Sequence, residues 1–343
     1  DVLTISSGAA KGILYGGISL TQVLYQDETH IHFPKGTARD YPKYEVRSGM
    51  LDVGRMYIPL EYVKEMALYM GWFKLNNLHM HINDYWGNAG YSAFRLESET
   101  YPSIMAKDGY YTKEEYKQFQ KDLAQYGIEV ITEIDSPYHA ESFREIPGVT
   151  MKAAGQLDIR TDETYASSIQ VIKNLMDEYL DEDDPVFQGG SYHIGTDEYD
   201  KAASEQMRKY TDELIKYTNA KGLKTRVWAS LGKNGFNGTT PVTNEATVNL
   251  WAAYWADVKE TYDAGFDVIN TEGGWLYIVP RSNAYYPDRI DLADRYNNFE
   301  VNNFKSPRTM SVQGGRGVAV MPVAHPQTKG AQFCIWNDMT SFR

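Results

Sequence analysis

The chain has little with which to staple or anchor itself. Among its 343 residues there is one cysteine, Cys334, so no internal disulfide can form. Its place in the apolar run Phe333-Cys334-Ile335-Trp336 reads as a small buried hydrophobe. No stretch approaches the roughly 18 consecutive apolar residues of a membrane span, so no membrane insertion is expected. Positive charge is scarce as well. The 34 Lys+Arg against 46 Asp+Glu leave a net charge of -12, which argues against nucleic acid or an anionic membrane surface as the main partner. Internal repeats, low-complexity tracts and charge blocks are lacking. The first residue is Asp1 and no basic-then-apolar leader follows it, so a mature or trimmed fragment is expected.

What is plentiful is aromatic surface, 13% of the chain with 27 Tyr and 7 Trp. Aromatic faces cover the apolar C–H side of pyranose rings while polar groups satisfy hydroxyls, so a neutral sugar is a compatible ligand. The same rings also serve ordinary cores, and composition does not separate the two. Short β-branched runs alternate with longer amphipathic stretches, the pattern of βα units rather than of a sandwich. Eight strands are expected near Val46–Val53, Asn77–Ile82, Glu129–Ile134, Tyr192–Thr196, Lys224–Ala229, Thr247–Trp251, Asp267–Thr271 and Gln332–Trp336. Helical spacing covers Leu60–Trp72, Lys113–Tyr126, Thr164–Tyr179, Ser204–Ala220 and Val258–Ala264, with Gly127 and Gly222 as left-handed caps. The helix after the fifth strand has no clear signal. Together these predict an α/β fold, a (β/α)8 TIM barrel over residues 44–343 that lacks its last helix. Residues 1–43 read differently, as a helix over Lys11–Tyr25 and a short strand over His30–Phe33. They look like the C-terminal part of a preceding small α/β domain and its linker. The long Tyr/Asn/Gly/Pro-rich connections 85–112 and 272–315 follow strand ends, where loops of such length carry function.

In a barrel of this kind the carboxyl ends of the strands share one rim, so polar residues at those ends converge. In order these are Arg47 on the first strand, Asn83 and Asp84 after the second, Asp135 and His139 at the third, and Asp197 and Glu198 at the fourth. Trp228 and Trp251 end the fifth and sixth, Tyr277 follows the seventh, and Trp336 and Asp338 close the eighth. The sharpest signal is Tyr192-His193-Ile194-Gly195-Thr196-Asp197-Glu198, a strand followed at once by two carboxylates. Glycosidic cleavage requires a proton donor for the leaving oxygen and a negative charge for the oxocarbenium-like transition state. An isolated Asp-Glu pair is more often a solvated helix start; the strand end and the preceding glycine favour the site.

The segment His193-x-Gly195-x-Asp197-Glu198 resembles the signature of family 20 glycoside hydrolases, the β-N-acetylhexosaminidases and lacto-N-biosidases. Four further segments resemble that family in the same order: Arg47-Ser48-x-Met50-Leu51-Asp52-Val53-x-Arg55, Lys74-Leu75-Asn76-x-x-His79-x-His81, Glu133-Ile134-Asp135-x-Pro137-x-His139 and Trp336-Asn337-Asp338. The resemblance implies substrate-assisted, retaining catalysis without cofactor or metal. In that scheme the sugar's 2-acetamido oxygen attacks the anomeric carbon. Glu198 is then the general acid and base, holding its proton at working pH, and Asp197 stays ionised to orient the acetamide. Tyr277 would donate to the acetamide oxygen, although Trp275 competes for that place. On either alignment the acid that the family carries after this tyrosine is replaced, by Tyr277 or by Val279. That loss opens room for a second sugar and favours the lacto-N-biosidase branch, which releases Gal-β1,3-GlcNAc, over release of a single N-acetylhexosamine.

By the same resemblance Arg47 binds outer sugar hydroxyls, Asp338 accepts hydroxyls of the ring, Trp336 forms the wall beneath it, and Trp228 and Trp251 line the acetamide pocket. Arg47 in an ion pair at the barrel bottom or at the rim, and the tryptophans in the core, are the plainer readings. Asp84 and His139 are counted with the substrate-binding residues, His139 in a chain from an acid such as Asp84 toward Glu198, and Asp135 is either a hydroxyl ligand or a structural acceptor. The implied partner is an oligosaccharide or glycoconjugate containing N-acetylhexosamine, and the implied location is secreted or on a bacterial cell surface. Two other classes compete: a metal-dependent amidohydrolase using His79-x-His81, and a sugar-binding module that has lost turnover. Retention of both Asp197 and Glu198 argues against the second.

Overall fold

The computed structural model describes residues 2–340 apart from 87–90, 283–285, 287–288 and 313. Its centre is a closed barrel of eight parallel strands in chain order. They are β1 (Val46–Asp52), β2 (Asn77–His81), β3 (Glu129–Ser136), β4 (Ser191–Gly195), β5 (Lys224–Trp228), β6 (Ala246–Leu250), β7 (Asp267–Asn270) and β8 (Thr328–Ile335). Strands wrapped by helices on one side and by each other on the other have no wet face; β2, Asn77-Leu78-His79-Met80-His81, is buried at every residue. The barrel closes where β8 pairs with β1, from Val46 with Gly330 to Leu51 with Ile335. Gly330 permits this approach, since a Cβ there would lie 1.7 Å from the Val46 carbonyl oxygen.

Outside the barrel lie α1 (Ala10–Gln26), α2 (Leu60–Trp72), α3 (Lys113–Ala124), α4 (Asp162–Tyr179), α5 (Ser204–Ala220) and α6 (Val258–Asp263). Thr112 and Glu115 form a capping box that starts α3, and Thr161 and Thr164 do the same for α4. Gly127 and Gly222 follow α3 and α5 at φ 74° and 80°, as the sequence predicts. The interior is unusual for such a barrel, whose core layers are mostly branched apolar residues. Ser48, His79, His81, Glu133, His193 and Gln332 are all buried there, and register sets His81 beside Glu133 and Glu133 beside His193.

Some expectations fail. Residues His30–Phe33 form no strand; Ile31 is 72% exposed and no neighbouring chain pairs with the segment. Between β5 and β6, where no helix signal was clear, the chain takes a loop with a single bridge, Leu231 to Phe236. Neither long loop is structureless. The first carries the hairpin Asn83–Trp86 and Tyr91–Phe94, and the second carries short helices at Gly273–Leu276, Leu292–Asn298 and Pro307–Val312.

Arg47 is the clearest correction. It sits near the amino end of β1, and its guanidinium donates to the carbonyls of Lys74 (2.8 Å) and Tyr44 (2.9 Å) and to the Tyr15 hydroxyl (3.1 Å). Arg47 therefore ties α1 to the base of the barrel, at the mouth opposite the strand ends that carry the acids. Replacing Arg47 with Met should lower stability by about 1–3 kcal/mol, the usual loss for hydrogen bonds to a charged group, and leave ligand affinity unchanged; chemical denaturation and a binding titration on the same variant check both halves.

Candidate active site

At the carboxyl ends of the strands lies a cavity of about 100 Å³. Three of its acids come from the ends of β3 and β4, and the fourth, Asp338, follows β8. After β4 the backbone turns so sharply that Thr196 and Glu198 take φ 76° and 53° without being glycine, a conformation that costs energy and persists only where surroundings enforce it. Thr196 supplies much of that enforcement. Its N–H donates to the Ser136 carbonyl (3.1 Å), and its carbonyl accepts from the Ser230 hydroxyl (2.7 Å). Gly195, at φ 69°, lies against Asp135, where a Cβ would meet the carboxyl at 1.7 Å. This turn points Asp197 into the cavity floor and leaves Glu198 part-exposed at its edge, and both line the cavity with Asp135.

Behind Glu198 stands a line of hydrogen bonds. His139, itself at φ 58°, meets Glu198 through Nε2 at 3.2 Å and Asp84 through Nδ1 at 2.9 Å. Desolvation alone would lower the His139 imidazolium, but Asp84, Glu198 and Asp135 outweigh it and raise it well above the usual histidine value. Burial would raise Asp84, yet Arg55 and His139 hold it below the ordinary carboxylate range. Asp84 is wholly buried behind His139 and forms no part of the cavity lining, so its expected contact with substrate gives way to a supporting place. Burial, reinforced by Asp135 and then Glu198, pushes the Asp197 carboxyl well above its usual range. An N–H donor brought to this carboxyl by a ligand would favour its charged form.

The walls are aromatic. Trp251 and Tyr277 lie parallel with centroids 6.3 Å apart, and Trp336 lies 5.8 Å from both Trp228 and Tyr277. The indole N–H groups of Trp251 and Trp336 are buried with no partner among the described residues. Unsatisfied donors beside a cavity are free to meet a water or a ligand oxygen. Trp275 does not join this wall. It is enclosed in the short helix Gly273–Leu276, with Arg295 over its ring at 4.8 Å and Phe299 against its edge. Of the two candidates Tyr277 lines the cavity and Trp275 does not, and Val279, two residues further on, lines it as well.

A guanidinium also reaches the cavity, that of Arg55, which the sequence reading placed only at the end of a motif. It bonds Asp52 (2.9 Å), Asp84 (2.7 Å) and Asp338 (3.2 Å), so it links the cavity edge at Asp338 to the supports of Glu198. Its signal was its position after the carboxyl end of β1, where Arg47 could not be. Tyr286 also lines the cavity and carried no motif. His79 and His81, the pair a metal-dependent enzyme would use, each turn a ring nitrogen to Glu133, at 3.0 and 2.6 Å.

Residues 44–342 match the glycosyl hydrolase family 20 catalytic domain. The chain belongs to that family. Curated family 20 relatives include the lacto-N-biosidase of Bifidobacterium bifidum, 25% identical over 97% of this chain and 29% of that protein. The β-hexosaminidase of Akkermansia muciniphila is 26% identical over 80% of this chain and 62% of that protein. The chain thus spans less than two thirds of either relative. Among solved structures, the β-N-acetylhexosaminidase from Bacteroides fragilis superposes with a TM-score of 0.74 at 21% identity, covering 96% of this chain and 68% of that one, a likeness of fold.

Substituting Gly195 with Ala should place a methyl against the Asp135 carboxyl in a backbone conformation alanine disfavours. A stability loss of about 1–3 kcal/mol and displacement of the Asp197–Glu198 turn are expected, read as a lower unfolding midpoint and loss of turnover in the same preparation.

Proposed function

We propose that this chain is the catalytic barrel of a retaining glycoside hydrolase that cleaves β-linked N-acetylhexosamine with the substrate's own acetamide as nucleophile. The observation that carries this reading is the pairing of Glu198, backed by the His139–Asp84 line, with Asp197 on the floor of an aromatic chamber. In the first step the acetamide carbonyl oxygen forms a bond to C1 as the C1–O glycosidic bond breaks, and the leaving oxygen takes the proton of Glu198. Asp197 accepts the acetamide N–H and stabilises the positive charge of the cyclised oxazolinium ion. Tyr277 holds the acetamide from the other side, so the attacking oxygen is in line before the barrier is reached. In the second step water gives a proton to the Glu198 carboxylate and its oxygen to C1, the ring opens, and the configuration at C1 is retained.

The preferred product is the disaccharide Gal-β1,3-GlcNAc. Two features support this: Val279 offers no hydrogen bond where hexosaminidases of the family carry an acid, and the match to the B. bifidum lacto-N-biosidase extends over 97% of this chain. Release of a single N-acetylhexosamine is the second reading. It is favoured by the pairing of Arg55 with Asp338 at the cavity edge and by a cavity of about 100 Å³. Glycans of this kind lie outside cells, so we place the protein in a secreted or surface-attached setting.

Three measurements test the proposal. Lacto-N-tetraose should yield lacto-N-biose and lactose; terminal galactosides left uncut while aryl N-acetylglucosaminides are hydrolysed would establish the second reading. Glu198→Gln should lower kcat by about 10²- to 10⁴-fold with little change in binding, as for loss of a general acid; undiminished turnover contradicts the role. The pH profile of kcat/KM reports the free enzyme. Asp197 must be ionised to accept the amide, and its proton affinity is raised. Activity should therefore be lost as pH falls through a value above the ordinary aspartate figure of about 3.9.

A further inference from the structure

The barrel interior holds a glutamate that the reaction as described does not use. Glu133 is wholly buried, and an unpaired buried carboxylate is costly enough that its partners require an explanation. One of its oxygens meets His79 Nε2 (3.0 Å) and His81 Nδ1 (2.6 Å). The other accepts the indole N–H of Trp228, which forms a wall of the cavity, and faces His193 Nδ1 at 3.2 Å. His81 then continues outward, its Nε2 meeting Asp84 at 2.8 Å. Asp84 is the group that holds His139 against Glu198. From the centre of the barrel to the cavity the order is carboxylate, imidazole, carboxylate, imidazole, carboxyl. With both ring nitrogens on carboxylate oxygens, His81 can donate to both only as imidazolium. A barrel of this size needs no such network for stability, because apolar residues of similar volume fill the same space at lower cost.

We propose that Glu133 is a positioning residue for the acid Glu198, acting through the hydrogen-bonded line His81–Asp84–His139 and, by way of Trp228, on the wall of the sugar chamber. The inference rests on the glycosidase reading above. Other titratable groups face this line. His79 shares β2 with His81, Asp135 lies two residues beyond Glu133, and His193 and Asp197 come from β4 and its end. Tyr192 on β4 and Cys334 on β8 face Glu133, Arg226 on β5 faces His79 and His193, and Arg55 faces Asp84. Desolvation would strip His81 of its proton, but Glu133 and Asp84 outweigh it and hold it as imidazolium well above the usual histidine range.

The sign of the effect follows. Without the Glu133 charge, His81 loses one of the two carboxylates that hold its proton and gives that proton up at lower pH than in the native protein. Asp84 then loses one of its cations and grips the His139 proton harder, and because the positive charge lost from His81 lay closer to Glu198 than the negative charge lost from Glu133, the potential at Glu198 becomes more negative. Glu198 becomes a weaker acid, and the basic limb of kcat/KM moves to higher pH.

The test uses the full chain. Glu133→Gln, close in shape to the native side chain, should lower kcat about 10- to 100-fold, the range typical for groups that orient a reacting residue, with KM within threefold and the basic limb raised by at least about half a pH unit. His81→Asn should raise that limb at least as far, and the double variant should match His81→Asn alone, because both act along one line. A lower unfolding midpoint with an unmoved or lowered basic limb, or additive losses in the double variant, would reduce Glu133 to packing. Histidine nitrogen NMR of the unmodified protein needs no variant: a His81 ring doubly protonated at pH 8 is expected, and a neutral one overturns the proposal. Failure of the unmodified protein to cleave any N-acetylhexosaminide would count against the glycosidase reading and is separate from these outcomes.

Discussion

The contact between His139 and Glu198 bears most of the chemistry. A carboxyl group that gives up a proton and later takes one back needs a neighbour whose own charge stays fixed through both events. His139 can be that neighbour because its far nitrogen is held by Asp84 at 2.9 Å, and Asp84 in turn is held by Arg55 at 2.7 Å. The imidazolium can then stabilise the Glu198 carboxylate formed when the leaving group departs, without surrendering its own proton. Removing any member would leave a buried charge without its partner, which is far costlier than never having placed the pair there.

Around this contact the fold trades local backbone comfort for orientation. Three residues other than glycine with positive φ, His139, Thr196 and Glu198, belong to the two strand ends that meet over the cavity. Their cost is met by bonds made nearby: Asn83 donates to the carbonyls of Asp135 and His139 (2.9 and 3.1 Å), and Thr196 is pinned from β3 and β5. The aromatic walls have a different task. By excluding water from Asp197 they add, with the neighbouring Asp135 and Glu198 carboxyls, to the rise in its proton affinity, and a ligand N–H would favour its charged form.

Much of this was readable in the sequence because barrel strands are short, doubly buried and separated by periodic helices. Strand ends fell within a few residues of their expected places, and the polar residues after them marked the rim. Arg47 was misplaced because sequence order along a strand does not reveal how far toward either mouth a long side chain reaches; Arg55, just past the carboxyl end of β1, was better placed than a residue near its start. Trp275 and Tyr277 are two positions apart, and only the short helix Gly273–Leu276 decides which of them faces inward. The part played by Glu133 was hidden for another reason. Its motif neighbours were visible, but the contacts to His79, His81, His193 and Trp228 join four strands, and no local pattern encodes them.

The reading of Asp197, Tyr277 and the aromatic chamber stands or falls on whether the sugar's own amide attacks C1. Aryl β-N-acylglucosaminides or biosides bearing acetyl, fluoroacetyl, difluoroacetyl and trifluoroacetyl groups form a series in which the carbonyl oxygen becomes steadily less nucleophilic while its size changes little. The account predicts that log kcat/KM falls steeply and linearly along that series. A flat dependence would mean that the amide is only recognised, and would contradict the account.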